Sequence, residues 1–505
     1  MKTIYHSSNS MRFLVTLLLT ACTAASVTAQ TTNAVRQLTL EDAIQMALKQ
    51  NIEIQIERYN PEIAQYNLTG AYGLYDPTFS FSAERTHSEG GPTLLGTNVI
   101  SGTVSDGSSF DSGLTGLLPW GMTYNLVGQA SDTDRTSAGG LGKIANSGAS
   151  ASASVLQPLL RDFWIDSTRL SIRINRHRLT QSELGLKLSV MRTVTILEQS
   201  YYDLIYNREN VIVQQKAVEL ADQLVAENRK RVEVGAMAPL EARQAESQAA
   251  SARAALIQAK SNLAIQENVV KQLITDNFAE WANVSLVPTG KLTAPGQTFD
   301  LQSSWERGLS QRPEILQAKI NAEIQGIQLK FDKNQLFPRL DLYATYGYNG
   351  SGNEFSGSLY DVQERNRPFY TYGAQISVPL ANWSERNRYK SSKATMQQLV
   401  LTVKQWERDI MRQIDDDVKV AQASYENVAA TRVAREYAEE ALAAEQKKLE
   451  QGKSTTYTVL QMQRDLTAAR GAEIQALDAY NRNLSQLSLD EGTTLDRLGI
   501  RFDGK

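Results

Sequence analysis

The feature that most constrains this chain is that it contains itself twice. Residues 40–83 lie on residues 301–344 at an offset of 261 without a gap, and eleven of the 44 positions are identical. The identities include Leu40/Leu301, Leu48/Leu309, Glu53/Glu314, Ile54/Ile315, Asn60/Asn321 and Pro77/Pro338. A second match, at an offset of 217, sets Gly235 on Gly452 and the basic run Arg229-Lys230-Arg231 on Gln446-Lys447-Lys448. The offsets differ by 261 − 217 = 44, so the first copy carries extra residues, most of them before Pro158, which matches Pro379. A duplication of this length implies two structural modules that stack on one another or on further copies.

Within each copy the pattern changes at the same place. A helical pattern ends at Asp76-Pro77 or Phe337-Pro338, and alternation begins at once. The alternating stretches have one apolar and one polar face. Leu340, Leu342, Ala344, Tyr346 and Tyr348 alternate with Arg339, Asp341, Tyr343, Thr345 and Gly347. Tyr370, Tyr372, Ala374 and Ile376 do the same, as do Phe79, Phe81 and Ala83 in copy one. Strands are expected at 78–86, 121–131, 149–157, 339–348 and 369–378. A wall between lipid and a wet lumen needs this two-faced pattern, and a soluble two-layer sheet would look the same. The Gly/Ser/Thr-rich stretches 88–113 and 131–148 read as surface loops.

After the strands comes a seven-residue repeat. Val190, Leu197, Leu204, Val211, Val218, Val225 and Val232 fall in one register, a coiled-coil signal. Glycine at 235 and Pro239 after it predict a helix stop and restart. The return arm continues with Ala242, Ala249, Leu256, Leu263 and Val270, and with Ala245, Ala252 and Ala259 on the offset seam. Copy two shows Ile414, Ala421, Val428, Leu442 and Leu449, broken by Arg435. A helix from 166 to 234 would be ~100 Å long, beyond any globular core, and must lie along other helices. The first copy is thus placed at 38–275, a linker at 276–299 and the second copy at 300–498.

Composition narrows the function. The net charge of −3 excludes a basic nucleic-acid binder as the default. One cysteine allows no internal disulfide, and three histidines leave little for a metal site. No Gly-x-Ser-x-Gly, His-Glu-x-x-His or Cys-His pair occurs, so no catalytic residue, cofactor or metal is expected. Asp415-Asp416-Asp417 reads as a solvated helix face. Residues 1–29 read as an export signal with Val27-Thr28-Ala29 before the cut. A competing lipoprotein box, Leu19-Thr20-Ala21-Cys22, would place a lipid on Cys22. No later stretch supplies the ~20 apolar residues of a membrane helix. So few strands cannot close a barrel, and open edges do not survive in lipid, so several subunits would have to share one.

Together these features resemble the TolC family of outer-membrane efflux proteins. The carrying residues are Leu38-Thr39-Leu40-Glu41-Asp42-Ala43-Ile44, the strand starts at Pro77 and Pro338, and the arms around Val234-Gly235 and Gln451-Gly452. The resemblance covers about residues 38–498. It implies a mostly α chain with transmembrane β. Long helical hairpins would form a periplasmic α-barrel beneath an outer-membrane β-barrel shared by a homotrimer in a Gram-negative bacterium. Four strands per subunit are the family default. A further hairpin around Pro119-Trp120-Gly121 would make six, and the count stays open.

The implied role is a passive conduit of a tripartite efflux or type I secretion system. Its partners would be a periplasmic adaptor, an inner-membrane RND, ABC or MFS transporter, and outer-membrane lipid. Adaptor-docking tips would be Gly235, Ala236, Met237 and Ala238, with Gly452, Lys453, Ser454, Thr455, Thr456 and Tyr457. Relatives carry acidic gate positions six and nine residues past the second turn glycine. Here those are Thr458 and Gln461, with Glu241 and Gln244 in copy one, so the chain departs from that pattern. The alternative is a periplasmic adaptor or structural coiled-coil protein of the envelope. Adaptors normally show one hairpin flanked by soluble β domains, whereas this chain has two.

Overall fold

A computed structural model describes residues 34–95, 98–100, 102–137 and 143–501. Residues 1–29, read as an export signal, and Cys22 lie outside the described residues. Strand β1 (Ala34–Leu38) leads into α1 (Leu40–Gln50) and α2 (Ile52–Tyr72). Then come β2 (Thr78–Glu89), the short pair β3 (Thr93–Leu95) and β4 (Asn98–Ile100), β5 (Thr103–Leu117), β6 (Thr123–Ser137) and β7 (Lys143–Pro158). The first long hairpin is α3 (Ser167–Glu233) and α4 (Pro239–Ile274), followed by α5 (Phe278–Trp281) and β8 (Val284–Pro288). The second copy runs α6 (Leu301–Gln311), α7 (Pro313–Asn334), β9 (Arg339–Gly352), α8 (Phe355–Gln363), β10 (Pro368–Ser377), α9 (Trp383–Glu450), α10 (Thr456–Asp490) and α11 (Thr494–Arg497).

Helix bounds repeat with the same offsets as the residues. The first residues of α1 and α6 are 261 apart, and those of α4 and α10 are 217 apart. Local chemistry sets these bounds. Asn51 ends α1 and caps α2: its Oδ1 accepts from the Ile54 amide at 3.1 Å while its Nδ2 donates to the Leu273 carbonyl at 3.0 Å. Arg312 holds the equivalent place, and there Pro313 starts the helix instead. Asp166 caps α3 by accepting from the Arg169 amide at 2.7 Å.

The helices bury the seam that the heptads mark. Val190, Leu197, Leu204, Val218, Ala245, Ala249 and Ala259 are buried, as are Ile414, Ala421, Val428, Leu442 and Leu449. Alanines along α4 leave room for close approach to α3. Arg435, where the apolar register of α9 breaks, is half-buried and ion-paired to Glu473 at 2.5 Å and Glu439 at 3.0 Å. Glu439 also takes Arg470 at 2.7 Å. A half-buried charge is tolerated because it is matched on several sides.

Two expectations are corrected. First, the stretches read as surface loops are largely strand: β5 starts at Thr103, β6 runs to Ser137 and β7 begins at Lys143. Gly, Ser and Thr there obscured the alternation because a strand paired on both sides needs no large side chain on either face. The sheet has six strands in the order β10-β9-β7-β6-β5-β2, all antiparallel. The linker 276–299 is tied down by pairing and hydrogen bonds. Its strand β8 pairs in parallel with β1, and Tyr201, buried in α3, donates to the Leu38 carbonyl at 2.9 Å while accepting from the Gly290 amide at 3.2 Å. Further on, Tyr480 of α10 donates to the Pro295 carbonyl at 2.8 Å. Second, Asp417 does not share the solvated face of its neighbours: one of its carboxylate oxygens is buried. Among the described residues no helix is long and apolar enough to cross a membrane.

Candidate functional site

The sheet presents two chemically distinct faces. The register sets Phe79 opposite Leu114, Leu114 opposite Leu126, Leu126 opposite Ala153, and Ala153 opposite Tyr346, which faces Tyr370. All these side chains share one face because residues paired across strands point the same way. Many are exposed in the single chain, including Phe79, Phe81, Tyr370, Tyr372 and Ile376. So large an exposed apolar surface marks contact with lipid or another chain. The opposite face carries Ser80, Asn125, Gln129, Ser150, Ser152, Thr345, Thr371 and Gln375, the composition of a wetted wall. The outer strands β10 and β2 each have one unpaired edge.

The apolar band has aromatic borders. At the end where the helices join, Trp120, Trp164 and Trp383 are exposed. Toward the other end, the Tyr346 and Tyr348 hydroxyls hydrogen-bond at 3.0 Å, and Tyr370 stacks on Tyr372 with ring centroids 6.3 Å apart. Indole and phenol groups favour the boundary between hydrocarbon and water.

Both long hairpins close in the same way. Gly235 and Gly452 have φ of +73° and +70°, the left-handed region. The following amides reach back over the helix end: Ala236 to the Arg231 carbonyl at 2.7 Å and Lys453 to the Lys448 carbonyl at 2.8 Å. This is the Schellman closure that glycine permits. Past the turns, Pro239 starts α4, while Thr455 caps α10 by accepting from the Thr458 amide at 3.3 Å. Gly235, Ala236, Ala238, Gly452, Lys453, Thr455 and Tyr457 are exposed, and Met237 and Ser454 are half-buried.

Thr456 is different. It is buried and donates to the Glu241 carboxylate at 3.3 Å, tying the tip of one hairpin to the other. Glu241 is therefore half-buried, whereas Gln244 is exposed. The Thr458 hydroxyl meets that of Thr455 at 3.0 Å, and the Gln461 amide donates to Asp465 at 3.2 Å. Asp465, exposed one turn beyond Gln461, is an acidic group near the tip that the spacing argument missed. Exposed Val234 and Leu240 beside the first turn were missed too. Their signal was available: both are large apolar residues off the heptad register.

Two carboxyls in the helices carry perturbed protonation. Asp478 of α10 is pushed up to about 7 by burial and by the neighbouring Asp203 of α3, against the pull of Arg482. Arg482 lies 3.1 Å from Asp203 and 3.9 Å from Asp478. Asp417 of α9 is pushed up to about 7, first by burial and then by Asp490, with Arg312 opposing. Arg312 pairs with Asp490 at 3.1 Å, and both are buried.

The family model described as outer membrane efflux protein matches residues 124–275 and 306–490. Among curated proteins no relative matches. Solved structures do. The CmeC outer membrane channel of Campylobacter jejuni is similar over 90% of this chain and 86% of its own, at 14% identity and a TM-score of 0.64. VceC of Vibrio cholerae is similar over 90% and 96%, at 17% identity and 0.64. The open-state MtrE outer membrane channel of Neisseria gonorrhoeae is similar over 90% and 89%, at 15% identity and 0.63.

Proposed function

The chain belongs to the outer membrane efflux protein family, and from that premise we propose that three copies close one β-barrel of eighteen strands above a tunnel built from their long hairpins. It is an outer-membrane efflux channel. The observation that carries the trimer reading is the six-stranded sheet with one apolar face, one polar face and two unpaired edges. Backbone groups at those edges cannot stay unsatisfied in lipid, and pairing β10 of one copy with β2 of the next satisfies them.

The conduit does no chemistry. Its polar face gives solutes a wet path across hydrocarbon, and no residue is assigned a catalytic, cofactor or metal role. Energy comes from an inner-membrane transporter of the RND, ABC or MFS kind, coupled through a periplasmic adaptor at the tips. Exposed Gly235, Ala236, Ala238, Gly452, Lys453, Thr455 and Tyr457 form the docking surface, extended by Val234 and Leu240. Thr456 serves the tip from inside by holding Glu241. Glu241, Gln244, Thr458 and Gln461 line the periplasmic mouth. The two tandem copies, 38–275 and 300–498, each contribute one hairpin to the tunnel wall.

Planar-bilayer recording tests the channel reading. Purified protein should insert and conduct in discrete steps. Release from cells by salt or osmotic shock, without detergent, would contradict it. A photocrosslinker at Tyr457 should capture a periplasmic adaptor, and one at lumen-facing Thr371 should not. For the mouth, Glu241→Gln should alter cation block and leak current, and unchanged currents would remove Glu241 from that role.

A further inference from the structure

Between β9 and β10 the chain does not turn directly but forms α8, and α8 lies on the apolar face of the sheet. Three contacts fix its position. The Phe355 ring meets Phe110 of β5 edge-on, with centroids 5.8 Å apart. Gly350, whose side chain would point to the apolar face, lies so close under the Ser358 carbonyl that a Cβ there would collide with backbone. Ser358 itself is fully buried. Asp361 tethers the far end, accepting from the Ser351 amide at 3.4 Å and pairing with Arg367 at 3.6 Å. Phe110, Ala149 and Gly350 occupy one cross-strand row with Ala83 and Ala130. That row continues the face that bears Phe79 and Tyr346.

The helix covers β7, β9 and part of β6, the inner strands of the sheet. A sister copy joining at β10 or β2 would pair with an edge of the sheet, whereas the helix lies on its face. Yet Tyr360, on the side of the helix opposite Ser358, is 61% exposed, and Leu359 at the flank is 43% exposed. They sit just past the tyrosine border, at the end of the sheet remote from the helical hairpins. The surface is therefore continuous with the lipid-facing band and lies at its outer boundary.

The geometry points to α8 as an interfacial helix: a short segment on the outside of the barrel that seats Leu359 and Tyr360 in the outer leaflet, at the boundary of headgroups and acyl chains. Phe355, Ser358 and Asp361 face the wall, Tyr360 faces the membrane, and Leu359 lies at the flank between them. Tyrosine favours this depth, with its ring in the acyl boundary and its hydroxyl among the headgroups. Its function is to fix the height of the barrel in the membrane. This inference rests on the channel reading, because it takes the apolar face of the sheet as the lipid face.

Site-directed fluorescence on the full chain tests it. Leu359→Cys and Tyr360→Cys are labelled with an environment-sensitive maleimide, and the parent, which has only Cys22, gives the background. Tyr372→Cys on the apolar band and Thr371→Cys on the polar face serve as references. The proteins are reconstituted in phosphatidylethanolamine–phosphatidylglycerol vesicles carrying nitroxide lipids. The 359 and 360 probes should be quenched at least ~2-fold more by a headgroup nitroxide than by one at the chain end, and little by aqueous iodide. Gly350→Val should lift α8 and shift both probes toward iodide. If the Tyr372 probe responds to lipid nitroxides while 359 and 360 respond only to iodide, the inference is overturned and the channel reading stands. If Tyr372 also responds only to iodide, both fall together.

Discussion

Asp478 shows how single residues tune the assembly. Its ordinary carboxylate value is 3.8, and in the folded chain it is raised to about 7. The folded state therefore binds more protons than the unfolded state between those values. Stability falls as pH rises through that window and stays low above it. Asp478→Asn should raise stability by roughly 1–3 kcal/mol at pH 8, with the gain shrinking on acidification and gone near pH 4. Thermal melts of the detergent-purified protein across pH check this. A gain independent of pH would assign the effect to packing. Asp417→Asn should behave alike, since burial and then Asp490 raise it in the same direction. The turn glycines make a contrasting case. No atom lies within 4 Å of a Cβ built at Gly235 or Gly452, so alanine there meets only backbone strain. Each substitution should cost about 1–2 kcal/mol, read as a lowered melting temperature with no change in pH dependence.

At the scale of elements, the α3–α4 pair depends on the match of large and small side chains. Leu197 is fully buried, and Leu197→Ala should cost about 2–5 kcal/mol. Ala245 is equally buried, and Ala245→Leu should push the helices apart at about 1–3 kcal/mol. Chemical denaturation of the two variants tests both. These elements were legible in the sequence because a seam of Val, Leu and Ala at seven-residue spacing has few other physical solutions, and because glycine and proline mark the turn. The extended upper strands were not legible, since residues 103–113 are mostly small and polar and gain their structure from hydrogen bonds on both sides. The role of Asp417 was equally hidden. Its neighbours Asp415 and Asp416 pair with Lys419 and Arg412 in solvent, while Asp417 faces an aspartate 73 positions away that only the fold brings near. The turn residues at the tips could be named from the sequence. That Thr456 turns inward to Glu241 could not, because it depends on how the two hairpins lie together.

For the whole molecule, the sheet and the hairpins make the same demand. Each is two-sided and leaves apolar surface open in one chain, and the sheet leaves unpaired edges as well. Six strands bring an edge at β10 and another at β2, and three such sheets joined edge to edge leave none. Residue-level features agree, since exposed Phe79, Phe81, Tyr370 and Tyr372 all lie on one face of the sheet. Native mass spectrometry of the detergent-extracted full chain tests this demand most directly. The account predicts a particle of three chains and no stable smaller form. A single chain, folded and soluble without detergent, would contradict it.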